Sequence, residues 1–385
     1  MNFLTNNYTP LDVSFYKGKG LYLYDKNNNK YLDALSGVGV NSLGHSHSKI
    51  VKSIKKQASK LIHTSNWYHI EHQEKLAKKL CDLANMDKVF FANSGAEANE
   101  AAIKLSRLYA HKKNISNPII ITVNKSFHGR TMATLSATGN PKIQNGFAPL
   151  LPGFINVNYN NIADIKNLEN NKNIVAIMLE PILGESGVII PDDDYLNEIR
   201  KICDKNSWLM ILDEIQTGIG RTGKMFAHQY NNITPDIMTL AKGLANGVPI
   251  GACIARGIAA DFFSPGSHGS TFGGNPLATK TALKVLKIIK KENILANCQK
   301  YSDYLLKEFQ DKLKDINYIK EIRVKGLMIG IELEKPCTNL LQQALRDKIL
   351  INITNNTIRL LPPLIITKVE ADIIVKKIVN LIKKL

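Results

Sequence analysis

Lys242 stands alone as a charged residue in TLAKGLANGVPIGACIA, a run of small and apolar side chains at residues 239–255. The run contains no acidic residue that could pair with its ammonium group. Apolar surroundings disfavour the charged form of a lysine, so the neutral amine becomes a nucleophile near neutral pH. The pattern therefore predicts a lysine that forms an imine with a carbonyl compound, because the imine also avoids an unpaired buried ammonium.

Two further segments offer groups that suit an anionic heteroaromatic aldehyde. Asp213 and Glu214 end the apolar run WLMILDE at residues 208–214, where a carboxylate faces the crevice beyond a strand. Gly95 and Ala96 open a helical run, and a helix start with free N–H groups favours an anion. Taken singly, the helix start is equally well explained by an ordinary N-cap with a capping box, and the carboxylate could ligate a metal or cap the next turn. Together with Lys242 they predict a site for pyridoxal phosphate.

The combination and order of these segments resemble the class III pyridoxal-phosphate aminotransferases. The matching segments are ILDEIQTG (211–218), DIM (236–238), AK (241–242), LGHSH (43–47), HTSNWY (63–68), NSGAEANEAAIK (93–104), SFHGRT (126–131) and STFGGNPLA (270–278). The similarity runs from about Tyr22 to Leu364. It implies a fold-type-I transferase with an α/β fold: a large domain with a mostly parallel central sheet, and a smaller α+β domain.

The resemblance implies a role toward the cofactor for each matching residue. Lys242 would form the imine and carry the proton, and Asp213 would pair with the pyridine nitrogen. The other implied contacts are the N–H groups of Gly95 and Ala96 on the phosphate, Phe127 stacked on the ring, Gln216 near the phenolic oxygen, and Thr271 on the phosphate of a neighbouring subunit. Because Thr271 would act across subunits, the resemblance also implies a homodimer with shared active sites.

The substrate contacts are implied in the same way. Arg130 would bind a carboxylate, Ser270 would lie near the substrate, and Arg359 would receive the α-carboxylate of glutamate or 2-oxoglutarate. Glu185 would shield Arg359 while the other substrate binds. Ser186 stands where the family usually has glycine. This difference bears on the conformation of the loop and not on the role of Glu185. No metal is implied.

Within the family, the similarity is greatest to members that transfer the amino group of N-acetylornithine to 2-oxoglutarate. Their products are N-acetylglutamate 5-semialdehyde and glutamate, in arginine biosynthesis. An ungapped match places Val38 where the family's ornithine enzymes carry a tyrosine, so we expect a pocket that suits an acylated, uncharged α-amine. N-succinylornithine, succinyldiaminopimelate, ornithine and 4-aminobutyrate remain alternatives.

Other features favour different functions less strongly. GIGRTGKM (218–225) matches G-x-x-x-x-G-K, but Met225 stands where a nucleotide-binding P-loop needs Ser or Thr, so we expect a tight glycine loop and no NTPase. The net charge of +17 would suit nucleic acid, yet the lysines are spread over polar faces without a nucleic-acid motif. His45 and His47 are better explained as satisfied histidines beside a glycine turn than as metal ligands. His128 and His268 lie near the predicted pocket, and we assign them no catalytic role.

The elements that must position these residues alternate between strands and helices. Short apolar β-rich runs occupy residues 118–123, 174–181, 208–214, 236–241 and 250–255. This alternation predicts an α/β domain with a largely parallel sheet. We place the PLP-binding domain at residues 48–284 and the small domain at residues 1–47 and 285–385.

Composition bounds the class of protein. With 385 residues, 44% hydrophobic and 22% charged, the chain is typical of a globular protein. It shows neither a signal-peptide pattern nor the ~18 uninterrupted apolar residues of a membrane helix. We therefore expect a cytoplasmic protein without a membrane partner. Five widely spaced cysteines favour reduced, buried thiols over disulfides or zinc.

Overall fold

The computed structural model describes residues 3–385. Within them the strands are β1 Phe15–Lys19, β2 Tyr22–Asp25, β3 Lys30–Asp33, β4 Lys88–Ala92, β5 Ile119–Val123, β6 Phe154–Val157, β7 Ile174–Leu179, β8 Leu209–Asp213, β9 Ile237–Leu240, β10 Gly251–Ala255, β11 Ile319–Lys325, β12 Met328–Leu333, β13 Ile349–Leu350, β14 Asn352–Thr354 and β15 Thr357–Leu360. The α-helical segments are α1 Ser36–Gly39, α2 Ser48–Ala58, α3 Glu71–Ala84, α4 Gly95–Lys112, α5 Met132–Ala137, α6 Pro141–Gln144, α7 Ile162–Lys166, α8 Tyr195–Asn206, α9 Pro276–Lys291, α10 Ile294–Leu313, α11 Leu340–Arg346 and α12 Lys368–Ile382. Short 3-10 helices cover Ala227–Tyr230, Lys242–Ala245 and Gly257–Asp261.

A seven-stranded sheet with the order β4-β10-β9-β8-β7-β5-β6 forms the centre of the molecule. Strands β9, β8, β7, β5 and β6 are parallel, which confirms the predicted α/β class. Strand β10 is antiparallel to both of its neighbours. The link between β9 and β10 holds only the 3-10 helix Lys242–Ala245, which is too short for the crossover that parallel strands require.

The carboxyl ends of several strands meet at one edge of this sheet. Asp213 is the last residue of β8, and Lys242 follows β9. Glu180 follows β7, Phe127 follows β5, and Gly95 begins the helix after β4. In open α/β sheets this edge is where ligands bind. The topology therefore places the predicted site residues together at the carboxyl edge of the sheet.

Two smaller sheets flank the central one. Strands β1, β2 and β3 form a sheet with β13, which pairs with β3 in parallel. Strands β11, β12, β15 and β14 form an antiparallel sheet. One continuous apolar core joins residues of α3 and α9 to residues of β12, β15 and α12. The domain boundaries at 47/48 and 284/285 therefore stay a prediction.

Two compositional expectations can be compared with the structure. All five cysteines are free and buried, as predicted. Within residues 3–385, no helix combines the length and the apolar character needed to cross a bilayer.

Candidate active site

A cavity of about 450 Å³ opens at the carboxyl edge of the central sheet, a volume typical of small-molecule sites. The sequence-predicted residues that line it are Gly95, Ala96, Phe127, Arg130, Glu185, Asp213, Gln216 and Lys242. Arg359 adjoins the cavity through its contacts with Glu185 and Gln216. Ser270 and Thr271 are not part of this lining.

Lys242 is held in an unfavourable backbone conformation at the start of its 3-10 helix. Its φ of 34° lies in the left-handed region, which non-glycine residues rarely adopt. Among residues 3–385, no side chain or carbonyl forms a hydrogen bond or ion pair with its Nζ. Burial lowers the pKa of Lys242 and Arg359 lowers it further, against the opposing charges of Glu185, Glu180 and Asp213. The neutral, nucleophilic amine inferred from the sequence therefore has a structural basis.

Asp213 is almost completely buried, at 3% exposure, and is surrounded by donors. Its Oδ2 accepts hydrogen bonds from Asn99 Nδ2 and from His128 Nδ1, both at 2.8 Å. Its Oδ1 accepts one from the backbone N–H of Ile215 at 3.1 Å. These donors give both oxygens of the buried carboxylate a hydrogen-bond partner.

The partners of Asp213 were not identified from the sequence. The sequence pattern indicates no catalytic role for His128 and no role for Asn99. His128 directly follows Phe127, and Asn99 lies one helical turn after Gly95. A polar residue next to a predicted site residue, or one turn along its helix, was the available signal.

The start of α4 leaves backbone donors free. The Ser94 side chain accepts from the N–H of Glu97 at 3.2 Å, which confirms its capping role. The N–H groups of Gly95 and Ala96 lack intrahelical partners because they belong to the first turn. A Cβ on Gly95 would lie 2.7 Å from Cδ1 of Ile215, so a larger residue here would displace that side chain of the cavity wall. The donors fit a phosphate group.

Phe127 and Arg130 lie on the loop that follows β5. The guanidinium of Arg130 is exposed and lies 5.7 Å from the centre of the Phe127 ring. The backbone N–H of Phe127 donates to Glu180 at 2.9 Å. The ring is therefore fixed through its backbone, and the cation beside it is accessible to an anionic substrate.

Glu185 forms a two-pronged ion pair with Arg359. The distances are 3.0 Å from Oε1 to Nη2 and 3.1 Å from Oε2 to Nη1. Gln216 joins the pair, since its Nε2 donates to Glu185 at 3.3 Å. Burial by itself would raise the pKa of Glu185, but the charges of Arg359 and Lys242 and the hydrogen bonds hold it below its ordinary value. Arg359 is 1% exposed, so Glu185 neutralises a buried cation.

Glu180 is a carboxyl group of the cavity that the sequence analysis did not single out. Its two oxygens accept from the N–H groups of Phe127 and Gly184, at 2.9 and 3.0 Å. Burial, reinforced by the charge of Asp213, raises the pKa of Glu180 to about 7. Its position directly after an apolar strand, like that of Asp213, was a usable signal.

Thr271 and Ser270 border a second cavity, which also contains Trp67 and His268. Thr271 is exposed, and Ser270 Oγ accepts from Asn93 Nδ2 at 3.2 Å. Asn93 itself lines the main cavity, so Ser270 stands at the border between the two. Thr271 thus lines the second cavity and not the one that contains Lys242.

The expectation that Val38 faces the substrate is wrong for this structure. Val38 packs against an apolar cluster that includes Ile182 and Leu361. The aliphatic residue of the same segment that lines the cavity is Val40. The backbone of α1 takes a left-handed turn at this point, with φ of 63° at Gly37 and at Val38, so the directions of the side chains in this segment depart from those of a regular helix.

The remaining candidates are structural. Arg221 of the GIGRTGKM loop is buried and donates to the carbonyls of Leu327 and Pro362. The loop leads into a 3-10 helix and does not open the long helix of a P-loop. His45 Nε2 contacts Asp33 Oδ2 at 2.7 Å. Residues 3–385 contain no group of His, Cys, Asp and Glu that could hold a metal ion.

Comparison with known proteins gives a consistent assignment. The family model "Aminotransferase class-III" matches residues 3–382. The acetylornithine aminotransferase of Nitrosomonas europaea is 52% identical, covering 99% of this chain and 98% of that protein. That of Aquifex aeolicus is 46% identical, covering 97% of each.

Among solved structures, the ornithine aminotransferase of Toxoplasma gondii has a TM-score of 0.96 at 32% identity, over 99% of this chain and 93% of that one. The acetylornithine aminotransferase of Elizabethkingia anophelis has a TM-score of 0.89 at 34% identity, over 99% and 96%. The lysine and aspartate at adjoining strand ends, the free helix start and the full-length match agree, and the chain belongs to the class-III aminotransferases.

Proposed function

We propose that this enzyme transfers the amino group of N-acetylornithine to 2-oxoglutarate with the help of pyridoxal phosphate. The products are N-acetylglutamate 5-semialdehyde and glutamate, and the reaction serves arginine biosynthesis. The observation that carries the proposal is a single cavity lined by the unpartnered Lys242, by Asp213 and by Glu185, whose carboxylate pairs with the adjoining Arg359.

The residues present fit pyridoxal phosphate. The free N–H groups of Gly95 and Ala96 would hold its phosphate, Phe127 would cover its ring, and Gln216 would lie near its phenolic oxygen. Thr271 of a second copy of the chain would complete the phosphate contacts. When bound, the cofactor supplies an aldehyde for the amine and an electron sink for the charge left on the reacting carbon.

Lys242 and Asp213 divide the proton chemistry. Asp213, held in place by hydrogen bonds from Asn99 and His128, would pair with the pyridine nitrogen and hold a proton there. The Nζ of Lys242 takes the proton from the carbon that bears the transferred amine and returns it to the neighbouring acceptor carbon. A lowered pKa suits this task, because the amine must be neutral to accept a proton.

Arg359 and Glu185 let one cavity accept two different substrates. With N-acetylornithine, Glu185 stays on Arg359 and the substrate carboxylate binds Arg130. With glutamate or 2-oxoglutarate, the α-carboxylate takes the place of Glu185 on Arg359. Because Arg359 is buried, a carboxylate must be present on it in both halves of the reaction.

The acyl group is the least constrained feature of the substrate. Relatives at 52% and 46% identity are named acetylornithine aminotransferases, which favours N-acetylornithine over free ornithine. The aliphatic Val40 in the cavity wall also supports an uncharged acylated amine, because it offers no partner for an ammonium group. N-succinylornithine shares this chemistry and differs only in the size and charge of the acyl group. Succinyldiaminopimelate is acylated in the same way, but its amino-acid part is longer and carries a second carboxylate.

The test is a comparison of kcat/KM for N-acetylornithine, N-succinylornithine, ornithine and 4-aminobutyrate, each with saturating 2-oxoglutarate. We expect N-acetylornithine to lead and free ornithine to be at least about tenfold worse, which corresponds to about 1.4 kcal/mol of transition-state binding. If ornithine or 4-aminobutyrate leads, the substrate proposal is wrong. If none of the four amino donors reacts, the proposed transaminase activity is wrong.

We further propose a homodimer with shared active sites. Support comes from the exposed apolar residues near Thr271: Trp67 is 92% exposed and Phe272 59% exposed. Exposed aromatic groups of this kind favour a protein–protein contact. A cytoplasmic location remains a prediction from the sequence.

A further inference from the structure

Glu185 lies on a loop whose backbone is closed by its own hydrogen bonds. Leu183 and Ile189 exchange two backbone hydrogen bonds, both of 3.0 Å. Inside this bridge, the N–H groups of Gly187 and Val188 both approach the carbonyl of Gly184 at 3.4 Å. The loop therefore resembles a small hairpin with Glu185 near its tip.

The loop is also anchored to both flanking parts of the molecule. Before Glu185, the N–H of Gly184 donates to the buried Glu180 carboxylate at 3.0 Å. After it, Arg323 of β11 donates from Nε to the carbonyl of Val188 at 3.0 Å and from Nη2 to that of Gly187 at 2.9 Å. Arg323 is itself 7% exposed, so this anchor is part of the interior.

A third tie comes from the residue next to Glu185. The Ser186 hydroxyl donates a hydrogen bond to the carbonyl of Lys125, in the loop that carries Phe127. Ser186 is only half-buried, so this tie can be removed without creating an internal cavity. The Glu185 side chain is 35% exposed and can rotate away from Arg359 while its backbone stays in place.

We infer that Ser186 is a positioning residue that holds the Glu185 carboxylate on Arg359 and so sets how easily a dicarboxylate displaces it. The inference rests on the proposed function, since it needs Arg359 to receive a substrate carboxylate. Any free energy that stabilises the Glu185–Arg359 pair opposes binding of glutamate or 2-oxoglutarate. It does not oppose N-acetylornithine, which binds with the pair intact.

The first test measures binding without turnover. Glutarate is the probe, because it carries two carboxylates but neither an amine nor a keto group. Calorimetry on the holoenzyme should show Ser186→Ala binding glutarate about 2- to 10-fold more tightly than the original protein, the effect of one lost hydrogen bond. The matched control is Ser59→Ala, which removes a hydroxyl that donates to the Lys56 carbonyl at an exposed helix end. This control should leave the Kd unchanged.

Kinetics supply the second readout. In Ser186→Ala the KM for 2-oxoglutarate should fall by the same factor as the glutarate Kd. The KM for N-acetylornithine should stay within about twofold, because that substrate leaves the pair in place. A general loosening of the site would change both values in the same direction, and that result would overturn the inference.

The third test asks whether Ser186 acts through Glu185. In a Glu185→Ala background, Ser186→Ala should have no further effect on glutarate binding, since no carboxylate remains to be positioned. The inference is wrong if Ser186→Ala alone leaves the Kd for glutarate unchanged, or if it tightens binding equally in both backgrounds. In either case, tight binding of glutarate by Glu185→Ala would still support the proposed role of Arg359. If neither the original protein nor Glu185→Ala binds glutarate, the role of Arg359 fails and the proposed function fails with it.

Discussion

The hydrogen bond between His128 and Asp213 can be tested with two substitutions of similar size. His128→Leu removes the donor, whereas His128→Asn can place an amide N–H near the position of Nδ1. In the structure Nδ1 lies 2.8 Å from Asp213 Oδ2, with the two side chains 0% and 3% exposed. A hydrogen bond to a charged group contributes about 1.5–3 kcal/mol. If it is needed in the transition state, kcat/KM of His128→Leu should fall by about 10- to 150-fold.

The assay is kcat/KM for N-acetylornithine with saturating 2-oxoglutarate, measured beside the Tm of each variant. We expect His128→Asn to stay within about tenfold of the original protein, because a donor to the Asp213 carboxylate remains. Activity is compared at a temperature well below the Tm of both variants, so that a difference in kcat/KM does not reflect unfolded protein. Equal loss of activity in both variants would refute the role of the hydrogen bond.

Three other outcomes are expected. Borohydride treatment should attach the cofactor covalently to the peptide that contains Lys242. The variant Lys242→Ala should still bind added pyridoxal phosphate through its phosphate contacts, but it should show neither the labelled peptide nor transamination. If the label appears on another peptide of the original protein, Lys242 is not the residue that forms the imine. The pKa of Glu180 is about 7 in the folded protein against an ordinary 4.5, so its contribution to stability is fully present below about pH 4.5 and is lost as the pH rises to about 7. Chemical denaturation at about pH 5 and about pH 8 should show a smaller loss of stability in Glu180→Gln than in the original protein, and an equal loss would contradict the raised pKa. Mixed Lys242→Ala and Thr271→Ala chains should regain activity in heterodimers, where one site keeps both residues; no recovery after proven subunit exchange would mean that Thr271 does not act across subunits.

Much of the site could be predicted because its chemistry follows buried strands. Runs such as WLMILDE are apolar until acidic residues end them, and parallel strands bring their carboxyl ends together. Asp213 and Lys242 were therefore visible without a structure. The free helix start at Gly95 could also be seen, since small residues preceded a clear helical pattern.

The support of these residues could not be predicted in the same way. Asn99 and His128 reach Asp213 across 114 and 85 positions of the chain, and no local pattern encodes such a contact. Val38 shows the reverse error. An ungapped match compares positions along the chain, but it does not say where each side chain points. In the left-handed turn of α1, Val40 lines the cavity and Val38 packs against the apolar cluster beside it.

That turn belongs to a wider pattern of backbone strain around the Arg359 side of the cavity. Val38 has a φ of 63° and Val188 a φ of 57°, and left-handed conformations are especially unfavourable for β-branched residues. Each such residue destabilises the fold by about 1–3 kcal/mol. Val188 is fully buried in an apolar cluster with Met328 and Leu361, and Val38 packs against that cluster partly buried. Full burial of a valine contributes about 1.5–3 kcal/mol, which offsets the strain at Val188, and the partial burial of Val38 offsets a smaller part. Packing therefore holds two segments in conformations that their local sequence disfavours: one leads to Val40 in the cavity wall, and the other closes the loop of Glu185.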